Sequence, residues 1–397
     1  MRLADRVRDI GTETAFEAAG RARALEAQGR PIIHLEIGEP DFDTPPNVRE
    51  AAKRALDAGF THYSPPLGMP QLREAVAADA SRRKGFAVDP ANVVVTPGAK
   101  PVMYYTMLAL GEPGVEIIVP DPGFPIYESM ARFVGATPVP IPLRQERDFR
   151  IDIDELRSLV TERTRLLVIN SPHNPCGSIL TPDDLEAIAA IAIERDLIVM
   201  ADEIYGRIQY DGEFHSIAAL PGMVERTIVL DGFSKTYSMT GWRLGYAIVP
   251  PELVPVFSRL IINSVSCTSS FSQLAAAEAL TGPQDAVEAM VEEFRARREL
   301  VVDGLNALPG ITCRMPHGAF YAFPDVSGTG MSGPQFAERL LMDADVSVLS
   351  GTAFGRVGRD HIRVSYANSR ANIGLALERM GRLLAAAGSP RSGGPIA

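Results

Sequence analysis

An α/β fold with a mostly parallel, buried sheet follows from three features of the sequence. Short apolar runs at residues 116–119, 166–170, 197–201 and 227–230 recur with helical patterns between them, as strands joined by crossover helices do. The chain has 397 residues, 46% hydrophobic and 22% charged, which is enough apolar surface for two domains with their own cores. Turn-rich loops follow several of the runs, at the strand ends where open α/β sheets bind ligands.

The run Val93-Val94-Val95 suits a buried strand through its β-branched side chains. Thr96-Pro97-Gly98-Ala99-Lys100-Pro101 then turns into an apolar helical stretch at 102–110. In outline this is a phosphate cradle: N–H groups at a helix start attract an anion, and Gly98 and Ala99 let the backbone approach it. Such a turn also serves as a plain joint between strand and helix.

The run 166–170 leads into Ser171-Pro172-His173-Asn174-Pro175-Cys176-Gly177. Two prolines restrict this loop and a glycine lets it turn, so Asn174 is a rigid amide donor. Asn170 reads as a prop for the loop and His173 as a hydrogen-bonded loop residue rather than an acid or base. The next helix covers 182–191, with Thr181 as its cap and acids in its first turn.

After 197–200 comes Ala201-Asp202-Glu203-Ile204-Tyr205. Asp202 at a strand end can keep a pyridine nitrogen protonated, and the Tyr205 phenol can donate to a ring oxygen. Standing alone, Asp202 would read as a helix cap. After 227–231 comes Ser234-Lys235-Thr236-Tyr237-Ser238-Met239-Thr240-Gly241-Trp242-Arg243. A loop lysine can form an imine with an aldehyde, and a guanidinium eight residues on can hold the phosphate of the same molecule. Together they suggest pyridoxal phosphate, although a lone loop lysine is ordinarily a surface charge.

A long helix over 284–308, strands at 311–314, 319–324 and 362–365, and a final helix near 371–387 form a second layer. Residues 388–397 have linker composition and read as a flexible tail. The formal charge of −10, with basic residues spread among acidic ones, argues against nucleic acid or an anionic membrane as partner. Cys176, Cys267 and Cys313 are odd in number and far apart, suggesting neither a disulfide framework nor a metal site. The charged start and the lack of any run near the roughly 20 apolar residues of a membrane span point to a cytoplasmic protein.

With these segments the chain resembles the class I/II aminotransferases of fold type I, of the prokaryotic aspartate and aromatic kind. Leu35-Glu36-Ile37-Gly38-Glu39-Pro40-Asp41-Phe42, His62-Tyr63-Ser64-Pro65-Pro66-Leu67-Gly68, Asp121-Pro122-Gly123-Phe124-Pro125-Ile126-Tyr127, Gly318-Ala319-Phe320-Tyr321 and Ile362-Arg363-Val364-Ser365-Tyr366-Ala367 carry the resemblance over nearly the whole chain. It implies a large domain at 47–283, with a mostly parallel seven-stranded-type sheet covered by helices. A smaller α+β domain is implied from 1–46 and 284–387.

The resemblance further implies that Lys235 links to the cofactor and moves the substrate proton, and that Asp202 pairs with the ring nitrogen. Tyr205 and Asn174 are implied at the ring oxygen, and Phe124 stacked on the ring. Gly98, Ala99, Lys100 and Arg243 are implied at the phosphate, the first three chiefly through backbone, and Tyr63 at the phosphate of a neighbouring subunit's cofactor in a homodimer. Arg363 matches the two-bonded receptor of the substrate α-carboxylate, covered on its other side by Gly38, with Asn174 also addressing that carboxylate. Phe320 is expected along the substrate region.

In two places the chain departs from the pattern: Gly232 stands where relatives carry a hydroxyl residue, leaving the phosphate role of Ser234 open, and Cys176 replaces the usual threonine. The implied reaction is ping-pong transfer of an amino group between an L-amino acid and a 2-oxo acid. Lyases, decarboxylases, cyclases and oxidases on the same scaffold use the same cofactor residues. The stretch Gly11-Thr12-Glu13-Thr14-Ala15-Phe16, which in relatives lies near the substrate side chain, brings an acid. With no evident second carboxylate receptor, the expected donors are aliphatic, aromatic or broad, with aspartate still open.

Overall fold

The structure is a computed structural model that describes residues 2–8 and 10–388. Gly388 ends the last helix, and the rest of the expected tail lies outside the described residues. In chain order the strands are β1 (Ile33–His34), β2 (Val93–Thr96), β3 (Glu116–Asp121), β4 (Thr137–Pro142), β5 (Thr164–Asn170), β6 (Ile198–Asp202), β7 (Thr227–Gly232), β8 (Gly245–Ile248), β9 (Tyr321–Ala322), β10 (Val346–Ser347), β11 (Leu349–Ser350) and β12 (Ile362–Ser365).

Seven of them form the main sheet, in the order β2-β8-β7-β6-β5-β3-β4. Alternation along each strand divides its side chains between the two faces. Leu166 and Val168 enter one apolar cluster with Met200 and Ile228, while Leu167 and Ile169 enter another with Val199 and Ala201. Both faces are covered, which is why these strands read as unbroken apolar runs. β4 carries Pro138, Pro140 and Pro142, a composition that hides a strand from sequence reading. It is tolerated because β4 pairs only with β3, at the sheet edge.

β8 alone runs antiparallel to its neighbours β2 and β7. Its first residue, Gly245, pairs with Thr96 at the end of β2 and with Gly232 at the end of β7. The start of β8 therefore meets the carboxyl ends of the parallel strands, where Asn170 and Asp202 also stand side by side. This one reversal brings Arg243, Gly98 and Lys235 to the same edge of the sheet.

The crossover helix Pro182–Glu194 is capped reciprocally. The Thr181 hydroxyl accepts from the Asp184 N–H at 3.2 Å, and the Asp184 carboxylate accepts from the Thr181 N–H at 2.9 Å. This double cap fixes where the helix begins.

In the second layer the helices Asp285–Asn306 and Arg370–Gly388 pack together beside a three-stranded sheet in the order β11-β12-β9. β1 pairs in parallel with β10, joining the beginning of the chain to its last third. The strand expected at 311–314 is reduced to a single bridge between Thr312 and Asp325. Asn306 explains why: its side chain donates to the Cys313 carbonyl at 3.0 Å and accepts from the Cys313 N–H at 2.8 Å, taking the groups a ladder would need. The expected strand at 319–324 contracts to Tyr321–Ala322 because the chain turns at Ala319, which has φ 57°.

Candidate active site

A cavity of about 530 Å³ lies at the carboxyl edge of the main sheet, walled on its far side by the second layer and the N-terminal segment. Its lining includes Gly38, Ala99, Lys100, Phe124, Asn174, Asp202, Tyr205, Lys235, Arg243 and Arg363, brought from positions 38 to 363 of the chain. Gly98 borders it beside Arg243. Tyr63 is not part of this lining and is 88% exposed.

Lys235 is half-buried and its Nζ donates to the Gly38 carbonyl at 2.5 Å. Burial lowers its pKa to about 8, with Glu39 raising it and Arg363 lowering it further. Asp202 ends β6 on the cavity floor, and burial raises its pKa to about 6. Hydrogen bonds from the Tyr127 hydroxyl at 2.5 Å and the Ile204 N–H at 3.2 Å act in the opposite direction. The cavity thus holds an amine with lowered basicity and a carboxylate with raised pKa, a combination typical of reactive sites.

At one end, Ala99 and Lys100 open the helix Lys100–Leu110, where backbone N–H groups have no earlier carbonyl to bond. Gly98 has φ 93°, and a Cβ there would stand 2.3 Å from Arg243 Nη2. Only glycine leaves room for this guanidinium beside the turn. Arg243 is fixed by donating to the Thr240 carbonyl at 2.8 Å. Ser234 joins the cavity wall. Gly232 is packed against the sheet, where a Cβ would lie 3.0 Å from Gly245 Cα, a tight fit that the neighbouring strand would have to ease.

At the other end, Arg363 is buried between aromatic rings, 4.4 Å from the Tyr321 centroid and 4.8 Å from that of Phe354. It donates to Asn174 Oδ1 at 3.0 Å and to the Glu36 carbonyl at 2.6 Å, while its buried Nε has no hydrogen-bond partner among the described residues. A planar cation fixed on two sides with a donor to spare is suited to a carboxylate. Gly38 approaches the same place, because a Cβ on it would lie 2.1 Å from Tyr321 Oη.

Asn174 is held by its own N–H, which donates to Asn170 Oδ1 at 2.9 Å, and Asn170 in turn donates to the Pro172 and Asp202 carbonyls. Burial drives the His173 pKa down to about 3, so its ring is neutral, and neither ring nitrogen has a partner among the described residues. Tyr205 Oη is 2.8 Å from Tyr321 Oη. Phe320 differs from expectation: it is fully buried and stacks on Phe294 at 5.1 Å, while its neighbour Tyr321 lines the cavity. Phe320 precedes β9, directly after the turn at Ala319, and its ring belongs to the core cluster.

Sequence reasoning did not find Tyr127 or the buried cluster behind the sheet edge. Lys84 Nζ lies 2.6 Å from Glu203 Oε2 and 2.9 Å from Asp231 Oδ2. The cluster ties the residue after Asp202 to the end of β7, and such a buried set fixes geometry more than it adds stability. The unusual run Arg82-Arg83-Lys84, ending a helix that buries Lys84, is the sequence signal for it.

A helix start opened by a glycine beside a guanidinium, an amine of lowered basicity, a floor carboxylate and a buried arginine line one cavity of a mostly parallel α/β fold, and such a set suits pyridoxal phosphate. Residues 30–380 match the family described as aminotransferase class I and II. An aspartate aminotransferase of Pyrococcus abyssi is 43% identical over 91% of this chain and 93% of its own length. Aromatic-amino-acid aminotransferase 2 of Thermococcus litoralis is 41% identical over 97% of this chain and 98% of its own. The solved structure of the Thermus thermophilus aspartate aminotransferase with maleate superposes with a TM-score of 0.92 at 39% identity, covering 96% of this chain and 100% of that one.

The chain belongs to the class I and II aminotransferases. It is a pyridoxal phosphate-dependent enzyme that moves an amino group between an amino acid and a 2-oxo acid by a ping-pong reaction. No helix among the described residues is long and apolar enough to cross a membrane.

Proposed function

We propose that Lys235 is the proton-moving amine of this aminotransferase, that Arg363 receives the substrate α-carboxylate, and that its donors are aliphatic, aromatic or broad rather than strictly aspartate. The observation that carries the residue assignment is the convergence of Lys235, Asp202, Arg243 and Arg363 on one cavity. When bound, pyridoxal phosphate supplies an aldehyde for a covalent nitrogen link and a ring that accepts the electron pair left by a departing α-proton.

In this reading Gly98, Ala99 and Lys100 bind the phosphate through their N–H groups and Arg243 through its guanidinium. Phe124 provides a flat wall for the ring, Asp202 pairs with its nitrogen, and Asn174 and Tyr205 address its oxygen. The Asp202 carboxylate stays ionised by that pairing, because an adjacent cation opposes the effect of burial. Lys235 takes the α-proton and returns it one atom away. A pKa of about 8 keeps part of the amine neutral near physiological pH.

Arg363, Gly38 and Asn174 fix the carboxylate so that the α-hydrogen faces Lys235. The large domain is assigned to 47–283 and the small one to 1–46 with 284–387. Closure of the small domain on bound substrate would exclude water. Tyr63, exposed in one chain, reaches the cofactor phosphate of a second copy in a homodimer with active sites at the subunit interface. The enzyme works in the cytoplasm.

The relatives' names include both aspartate and aromatic aminotransferases at about the same identity, so the donor must be measured. Purified holoprotein should be given a panel of single L-amino acids with one 2-oxo acid. The expected result is the oxo acid matching each accepted donor, formed in equal amount to the new amino acid. Ammonia, carbon dioxide or peroxide in place of that pair would exclude the proposal.

A further inference from the structure

Among the described residues, the cavity contains four cationic side chains, Lys100, Lys235, Arg243 and Arg363. Under the reading above, three have tasks: Lys235 at the reacting atoms, Arg243 at the phosphate and Arg363 at the α-carboxylate. Of these four, Lys100 has a side chain free of those tasks, and a second carboxylate on the donor could pair with it.

Lys100 is already engaged. Its Nζ forms an ion pair with Glu13 Oε1, an atom that is itself buried. The amine also stands 5.8 Å from the ring centroids of both Phe16 and Phe124, contacts that hold it against the wall. Glu13, Thr14, Ala15 and Phe16 form one side of the cavity, and Ile37, Leu349, Ala353 and Phe354 add apolar surface to it.

We propose that Glu13 is a specificity-determining residue: by occupying the Lys100 ammonium and adding a negative charge to the cavity wall, it favours donors with neutral side chains over dicarboxylates. The inference rests on the aminotransferase reading and names its substrate class. A second carboxylate entering here meets the repulsion of Glu13 and must displace it from Lys100. A neutral aliphatic or aromatic side chain leaves the pair intact and packs on the surrounding apolar groups. Discrimination of this kind comes from a repulsive element as much as from an attractive one.

The test is a half-reaction without acceptor, following the absorbance of holoenzyme mixed with L-aspartate or with L-phenylalanine over a range of concentrations. In Glu13→Gln and Glu13→Ala the ratio of kcat/KM for aspartate over phenylalanine should rise about tenfold or more, the scale of one charge-assisted hydrogen bond. The change should come mainly through saturation, and adding Lys100→Ala should cancel it. An unchanged or lower ratio in both Glu13 variants would overturn the proposal, as would a gain that survives Lys100→Ala. Failure of the native enzyme to react with any amino acid would instead count against the aminotransferase reading itself.

Discussion

The Tyr127 hydroxyl donates a 2.5 Å hydrogen bond to Asp202 Oδ2 across 75 residues of sequence. Both side chains are buried and both line the cavity. Burial raises the Asp202 pKa to about 6 and the Tyr127 bond pulls it down.

Tyr127→Phe removes the downward pull, so Asp202 should hold its proton to higher pH. If ionised Asp202 is the working form, the acid limb of the rate profile should move upward. Activity near pH 6 should fall more than activity near pH 8, with a loss of about tenfold at neutral pH. A pH series of kcat/KM on both proteins checks this, and an acid limb that stays in place would contradict the role given to Asp202.

Arg363→Lys keeps the charge but loses the planar fork that sits between Tyr321 and Phe354. KM for the amino donor should increase about tenfold to a hundredfold, with a smaller effect on kcat. Steady-state kinetics with one accepted donor decide the matter. An unchanged KM would remove Arg363 from the carboxylate site.

Gly98→Ala puts a methyl group 2.3 Å from Arg243 Nη2 at a φ of 93°. The strain, of the order of 1–3 kcal/mol, should displace the guanidinium from the cradle. Cofactor affinity, measured by fluorescence titration of apoprotein, should weaken about tenfold while the circular dichroism of the fold is retained. Equal affinity would mean that this turn does not hold the phosphate.

Much of this organisation was legible in the sequence because it is local. The strands β5, β6 and β7 are buried on both faces and read as plain apolar runs, and the cap at Thr181 is written within four residues. What lay hidden depends on distant neighbours. The prolines of β4 are acceptable only at an edge that other strands define, and Asn306 removes an expected strand by capturing Cys313. Tyr127 and Glu13 become informative only when the fold sets them against Asp202 and Lys100. Phe320 was expected along the substrate region in place of Tyr321, because the turn at Ala319 that precedes the pair is not legible locally.

The central claim is that the amine of Lys235 carries the cofactor, and borohydride reduction of holoprotein followed by tryptic peptide mass mapping tests it most directly. The mass of the reduced cofactor should be found on the peptide containing Lys235, and Lys235→Ala should retain the fold but yield no label and no turnover. Label on any other lysine, or sustained amino transfer by Lys235→Ala, would contradict it.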